Sequence, residues 1–300
     1  MIQLKKHEYT VGWICALPSE MAAATAMLDE THAEPAEQHP QDPNSYCLGR
    51  IGRHNVVVAC LPAGVYGTTS AATAAAKMIS SFPSVNLGLM VGIGGGVPSA
   101  QRDIRLGDVV SMKDGIVPTG SLNKPPQILL TTIASLEATH MKQGSKIPTF
   151  LSEMTTKFPQ MEEWFSCPGR EHDLLFEADY FHGHGATCEQ CDAARLLRRT
   201  VRVDQNPVIH YGTIASGNQV IKNGITRDRL RDKYGILCFE MEAAGLMDNF
   251  PCLVIRGICD YADTHKNKCW QKYAVVTAAA YGKELLCSMP QYENQLPQQH

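Results

Sequence analysis

The sequence predicts an α/β fold: a central, largely parallel sheet covered by helices on both faces. Short apolar strings alternate with helix-forming runs, the grammar of parallel-sheet proteins. The last third repeats that grammar after a polar middle. A composition of 44% hydrophobic and 19% charged residues over 300 positions supplies an ordinary globular core.

The first string, Val11 to Leu17, reads as a strand, Pro18-Ser19-Glu20 as a turn, and the alanine-rich run to Leu28 as a helix. Tyr46–Ile51 and Val56–Leu61 flank Gly52-Arg53-His54-Asn55, a hairpin signal. Thr68–Ser81 lacks a breaker and reads as a helix. Leu87–Gly92 is a strand opening into Gly94-Gly95-Gly96, and Leu106–Met112 another. Further on, Val208–Ala215, Gly235–Phe239 and Cys252–Cys259 read as strands. Thr226–Lys233, Met241–Met247 and Trp270–Ser288 read as helices. Residues 113–206 are richer in proline and polar groups and predict one or two helices, Leu129–Met141 the better one. We expect one domain over 1–300: a core of 9–112 and 207–288, an insertion of 113–206, and a fraying Gln- and Pro-rich tail of 290–300.

A net charge of −3 argues against binding nucleic acid by bulk electrostatics. The N-terminal lysines precede no apolar core, and no run reaches the length of a membrane span. Eleven cysteines, mostly inside apolar strings, read as reduced and mainly buried thiols, which predicts a cytoplasmic protein without a membrane partner.

Cys238-Phe239-Glu240-Met241-Glu242-Ala243-Ala244-Gly245 sets two carboxylates at a strand end and the mouth of a helix. Open α/β sheets bind ligands at such edges, although acids there also serve simply to complement a helix N-terminus. Arg256 lies inside a buried string that emerges at Asp260, and it needs a carboxylate partner. Glu20 and Glu242 are the candidates, a structural ion pair being the alternative. Gly92-Ile93-Gly94-Gly95-Gly96 fails as a dinucleotide fingerprint, because Val97 stands where the third glycine belongs and Pro98 follows.

In this order, the Glu20 loop, Gly92–Gly96, Leu106-Gly107-Asp108-Val109-Val110, Ile214-Ala215-Ser216-Gly217, Phe239-Glu240-Met241-Glu242-Ala243 and Arg256-Gly257-Ile258-Cys259-Asp260 resemble a known family. It is the purine nucleoside phosphorylase and methylthioadenosine/S-adenosylhomocysteine nucleosidase superfamily, most of all its domains that open fungal NLR-type proteins. The resemblance covers 9–112 and 207–288 and implies a three-layer α/β/α sandwich assembled as a homodimer or larger homo-oligomer. It implies Asp260 as the general acid at purine N7, burial raising its pKa. Glu242 then binds the ribose hydroxyls, and Met241 packs under the sugar. Val220 and Ile221 flank the base, Val220 standing where nucleosidases often have an aromatic ring. Phe239, Glu240, Gly92 and Ile93 complete the substrate-binding set. Glu20 matches the carboxylate that activates water, with Arg256 holding water and Glu20 in place.

The phosphate donors that the phosphorylases carry are replaced here by Glu20, Met90 and Ile93, so water is the expected nucleophile. The resemblance thus implies a cofactor-free N-ribosyl hydrolase acting on an adenine nucleoside or nucleotide, ATP being one candidate. Its alternatives are a phosphorylase and a purine-binding sensor without turnover. Arg102, Arg105, Lys113, Lys222, Arg227, His265, Lys266 and Lys268 are candidates for a 5′ phosphate pocket. His182, His184, Cys188 and Cys191 have the ligand chemistry of zinc but no standard finger spacing. A structural metal and two free thiols both stay open there, and no metal is assigned to the chemistry.

Overall fold

A computed structural model describes the chain except for residues 35–37, 118–119, 184, 186, 248–249 and 291–300. The tail beyond Pro290, expected to fray, therefore lies outside the described residues. In order come β1 (Val11–Cys15), α1 (Pro18–Ala26), β2 (Glu30–Thr31), β3 (Tyr46–Ile51), β4 (His54–Cys60), α2 (Thr68–Ser81) and β5 (Leu87–Gly96). They are followed by β6 (Val109–Val117), β7 (Gly120–Ser121), α3 (Gln127–Gln143), α4 (Ile147–Lys157) and α5 (Gln160–Phe165). The last third holds β8 (Ile209–Ser216), α6 (Gly224–Tyr234), β9 (Ile236–Glu240), α7 (Ala243–Leu246), β10 (Cys252–Asp260) and α8 (Gln271–Ser288).

The strands form one mixed sheet in the order β10-β6-β8-β9-β5-β1-β4-β3-β2. β10 also pairs with β5, so β10, β6, β8, β9 and β5 close into a ring at one end of the sheet. The glycines explain the closure. Instead of opening into a loop, Gly94, Gly95 and Gly96 continue β5, which pairs with β10 and, through Gly95 and Gly96, with Phe239 and Cys238 of β9. A Cβ on Gly94 would stand 2.4 Å from the Cys238 sulfur, so two strands approach β5 only because it lacks side chains there.

α8 is buried around nearly its whole circumference, with Ala274–Ala280 and Tyr281 at most 2% exposed. It is wedged between the sheet and the insertion, whose helices α3, α4 and α5 all touch it. Among the described residues of the insertion, three α-helices stand where one or two helices were expected. Their inward residues, such as Leu129, Ile133 and Met154, lie in the same core as the sheet residues. The thiols divide differently from expectation. All eleven are free, but Cys15, Cys238, Cys252 and Cys259 alone are fully buried, while Cys167, Cys269 and Cys287 are exposed. Cys167 lies in the insertion, Cys269 just before α8 and Cys287 on the solvent side of its last turn.

Candidate active site

Where β1, β5, β9 and β10 end, their carboxyl edges surround a cleft of about 240 Å³. Glu20 enters from the first turn of α1. Its Oε2 accepts N–H bonds from Ala16 (2.7 Å) and Leu17 (3.0 Å), and its Oε1 accepts one from Ile93 (2.9 Å). The helix N-terminus and these three donors hold the carboxylate still. Burial nonetheless raises its pKa above the ordinary glutamate range, against the opposing pull of Arg256. Gly92 makes room behind it, since a Cβ there would lie 2.4 Å from Glu20 Oε1 and 2.5 Å from an Arg256 nitrogen.

Arg256 does not reach the cleft. It is 1% exposed, and its Nη2 donates to Glu240 (2.5 Å) and Glu242 (3.3 Å) rather than to Glu20. The expected Glu20 pairing is not made: Arg256 is drawn to Glu240 and Glu242, and Glu20 is held by backbone N–H groups instead. Glu240 is committed as well: it accepts from the backbone N–H groups of Glu242 (3.0 Å) and Ala243 (3.0 Å), so it caps α7. Ser216 completes the cap by accepting from Ala244 N at 2.9 Å, a use for the Ile214-Ala215-Ser216-Gly217 turn that its sequence does not announce.

Glu242 is the freer carboxylate. Its partners are Arg256 and the backbone N–H of Met241, from which its Oε2 accepts at 3.4 Å. Burial pushes its pKa up to about 7, Arg256 opposes the shift, and Glu240 and Glu20 add to it.

Asp260 closes the far wall and is 4% exposed. Its Oδ1 accepts from Ala262 N at 2.9 Å, and its Oδ2 meets the Cys259 thiol at 3.1 Å and Lys266 Nζ at 2.9 Å. The burial expected of Asp260 is present, but a countercharge comes with it. Burial alone would lower the pKa of Lys266; the Asp260 carboxylate outweighs it and raises the value. Ala262, two residues on, holds a left-handed φ of 52°, an unusual conformation for a side-chain-bearing residue beside a site.

Phe239, Met241, Val220, Ile221 and Ile93 line the remainder. Of the residues named from sequence, Arg256 and Gly92 stand behind the cleft and the other nine face it. Tyr66, Gln219, Gln271 and Lys266 also line it. Tyr66 sits on a connection between β4 and α2 whose end is tied to Asn218 through Thr68, a pairing across 150 residues that has no local signal.

Apart from Lys266, the basic candidates for a 5′ pocket do not line the cleft. Arg105 pairs with Asp103, Lys113 with Glu137, and Arg227 with Asp228 and Asp263. His265 is buried in an aromatic stack, and Lys268 and Arg102 line other hollows. Among the described residues, Lys266 is the cation that lines the cleft. No described helix is long and apolar enough to cross a membrane.

A family model described as "Phosphorylase superfamily" matches residues 10–280. A nucleotide-binding leucine-rich repeat (NLR)-like protein of Hyaloscypha variabilis is 48% identical over 303 aligned residues, covering 95% of this chain. The chain spans 30% of that protein's length. Over 78 residues, 24% of this chain and 15% of the relative, it is 35% identical to a protein of Escherichia coli named ATP nucleosidase Cap17. Among solved structures, the 5'-methylthioadenosine/S-adenosylhomocysteine nucleosidase of Neisseria meningitidis, in complex with methylthio-immucillin-A, has the same fold. Its TM-score is 0.60 at 17% identity, with 93% of this chain and 99% of that one covered.

Proposed function

The chain belongs to the phosphorylase superfamily, and on that premise we propose that it is an N-ribosyl hydrolase releasing adenine from an adenine nucleoside or nucleotide. The observation that carries the reading is the convergence of Glu20, Glu242 and Asp260 on one cleft whose cation, Lys266, is already paired. Breaking a purine N-glycosidic bond builds positive charge on the sugar and negative charge on the departing base. Carboxylates around the sugar stabilise the first, and a proton delivered to the base neutralises the second.

In this mechanism Asp260, protonated when substrate is bound, gives its proton to purine N7 as the C1′–N9 bond breaks and is left as the carboxylate that Lys266 pairs with and positions. Glu242 holds the ribose hydroxyls and faces the sugar cation, with Met241 packed beneath. Water adds to C1′ and passes its proton to Glu20, which three N–H donors keep oriented. Phe239, Val220 and Ile221 flank the adenine. Arg256 acts at one remove by neutralising Glu240 and restraining Glu242, so it is a positioning residue. Inorganic phosphate is a poor nucleophile here, because the carboxylates repel it and Met90 and Ile93 offer it no side-chain donor.

ATP stays among the substrates because of the likeness to Cap17, and an uncharged 5′ group is favoured by the scarcity of cations lining the cleft. The test is incubation with ATP, AMP, adenosine and methylthioadenosine, with and without phosphate, adenine being read by chromatography. Adenine released without phosphate and abolished in Asp260→Asn and Glu20→Gln is the expected result. Release that depends on phosphate would make the protein a phosphorylase, and tight binding without release would make it a sensor.

A further inference from the structure

The insertion contains a side-chain cluster that the proposed chemistry leaves unused. His182, Cys188 and Cys191 each offer one ligand atom, and these atoms lie within 4.8 Å of one another. A tetrahedral zinc with bonds of roughly 2.0–2.3 Å holds its ligand atoms about 3.3–3.8 Å apart, so small rotamer shifts bring the three to coordination distance. Two sulfurs and an imidazole are the donor set that zinc selects over hard cations. All three side chains are half-buried, within reach of solvent for loading.

The second observation is His265, which packs edge-on against His182 with ring centroids 5.4 Å apart. It is 7% exposed, and neither of its ring nitrogens has a hydrogen-bond partner. Stacking on Phe176 at 4.1 Å fixes the ring in place. Buried unpartnered imidazole nitrogens are costly, and a polar neighbour beside His182 would satisfy one of them.

We propose that His182, Cys188 and Cys191 bind a zinc ion, whose fourth ligand is a water molecule hydrogen-bonded to His265. Binding releases the two thiol protons to solvent and leaves both sulfurs as thiolates. The site has a structural purpose that its surroundings make plain. His182 N donates to Thr264 Oγ1 at 2.8 Å, and the Cys188 thiol faces the His265 carbonyl at 4.0 Å. The next residue, Lys266, pairs with Asp260. The ion therefore staples the insertion to the loop that carries Lys266 into the cleft, and this role does not depend on which reaction the cleft performs.

The test is metal content of the full chain, grown with added zinc and purified without chelator. We expect about one zinc per chain, lost in Cys188→Ser/Cys191→Ser and kept in the control Cys269→Ser. Cobalt substituted into the wild-type chain should show thiolate-to-metal charge-transfer absorption. Chelation should lower the wild-type melting temperature, with zinc restoring it, and these two measurements decide the matter if the double variant does not fold. No metal in the zinc-supplied wild type, undiminished zinc in the double variant, or a Cys188–Cys191 disulfide in place of metal would each overturn the proposal.

Discussion

At the scale of single residues, the titration of Glu242 is the most consequential feature of the cleft. Its pKa near 7 sits well above its ordinary value of 4.5 because burial and two neighbouring carboxylates outweigh Arg256. A Glu242 that must be ionised to face a sugar cation is then half-protonated at neutrality in the free protein. We expect kcat/KM to fall as pH drops below about 7, since this ratio reports groups of the free enzyme. A profile flat from neutrality down to the ordinary carboxylate range would remove the ionic role. Between pH 4.5 and 7 the folded chain binds more protons here than the unfolded chain, so this group weakens the fold as pH rises through that window. Lys266 carries a second prediction. Lys266→Met should lower kcat by about tenfold or more, a loss of the size expected for a positioning group, with KM little changed. A change confined to KM for nucleotides would instead make it a phosphate contact. Glu240, Glu242 and Asp260 were legible because they stand at or just past the ends of apolar strings, whereas Glu20 was reached as a partner for Arg256 and through the family resemblance. Lys266 was read only as a candidate for a 5′ phosphate pocket, because its partner is fixed by the path of the loop after β10, and no spacing rule encodes that path.

At the scale of elements, many strands and helices were legible to within a residue or two because apolar periodicity and turn residues decide them locally. The strand expected over Leu106–Met112 instead runs Val109–Val117. The glycine run and α7 depart from expectation for a common cause. The glycine run was read as a loop because glycine is a poor strand former, yet it stays extended where β9 and β10 crowd it. α7 shrinks to Ala243–Leu246 because Glu240 and Ser216, both outside it, supply its N-terminal acceptors. Tertiary contacts override local preference in both. The same crowding recurs where β10 meets α8: a Cβ on Gly257 would fall 1.8 Å from the carbonyl oxygen of Ala274. Gly257→Ala must push the helix off the strand that ends in Asp260. We expect a loss of about 1–3 kcal/mol or more, typical of overpacking, measured by denaturant titration, together with reduced turnover. Undiminished stability would show that α8 can shift without disturbing the core.

For the whole molecule, the question is what holds a polar insertion of this length to the core, and Asp108 supplies much of the answer. It is fully buried and takes both Nη atoms of Arg202 at 2.7 Å, His210 Nε2 at 2.9 Å and Val208 N at 3.0 Å. One carboxylate thus ties the start of β6 and the entry to β8 to the end of the insertion. The sequence presented Asp108 within a recognisable string, but Arg202, 94 residues away in a stretch without periodicity, gave no sign of being its partner. Burial alone would raise the pKa of Asp108; Arg202 and His210 outweigh it and leave the value below the ordinary aspartate range. The unfolded chain therefore binds more protons than the folded one as pH falls through that range. The stabilisation is present above the unfolded value and is lost as pH drops toward the folded one. Arg202→Ala strips the buried carboxylate of its guanidinium and leaves it the His210 ring and the backbone N–H groups of Arg105 and Val208, a loss of about 3 kcal/mol at neutral pH by analogy with broken buried pairs. The stability gap between wild type and variant should then shrink as acid protonates Asp108. A gap that stays constant with pH would mean that Arg202 acts by packing its side chain, and that the insertion is held instead by the apolar contacts of α3 and α4 with α8.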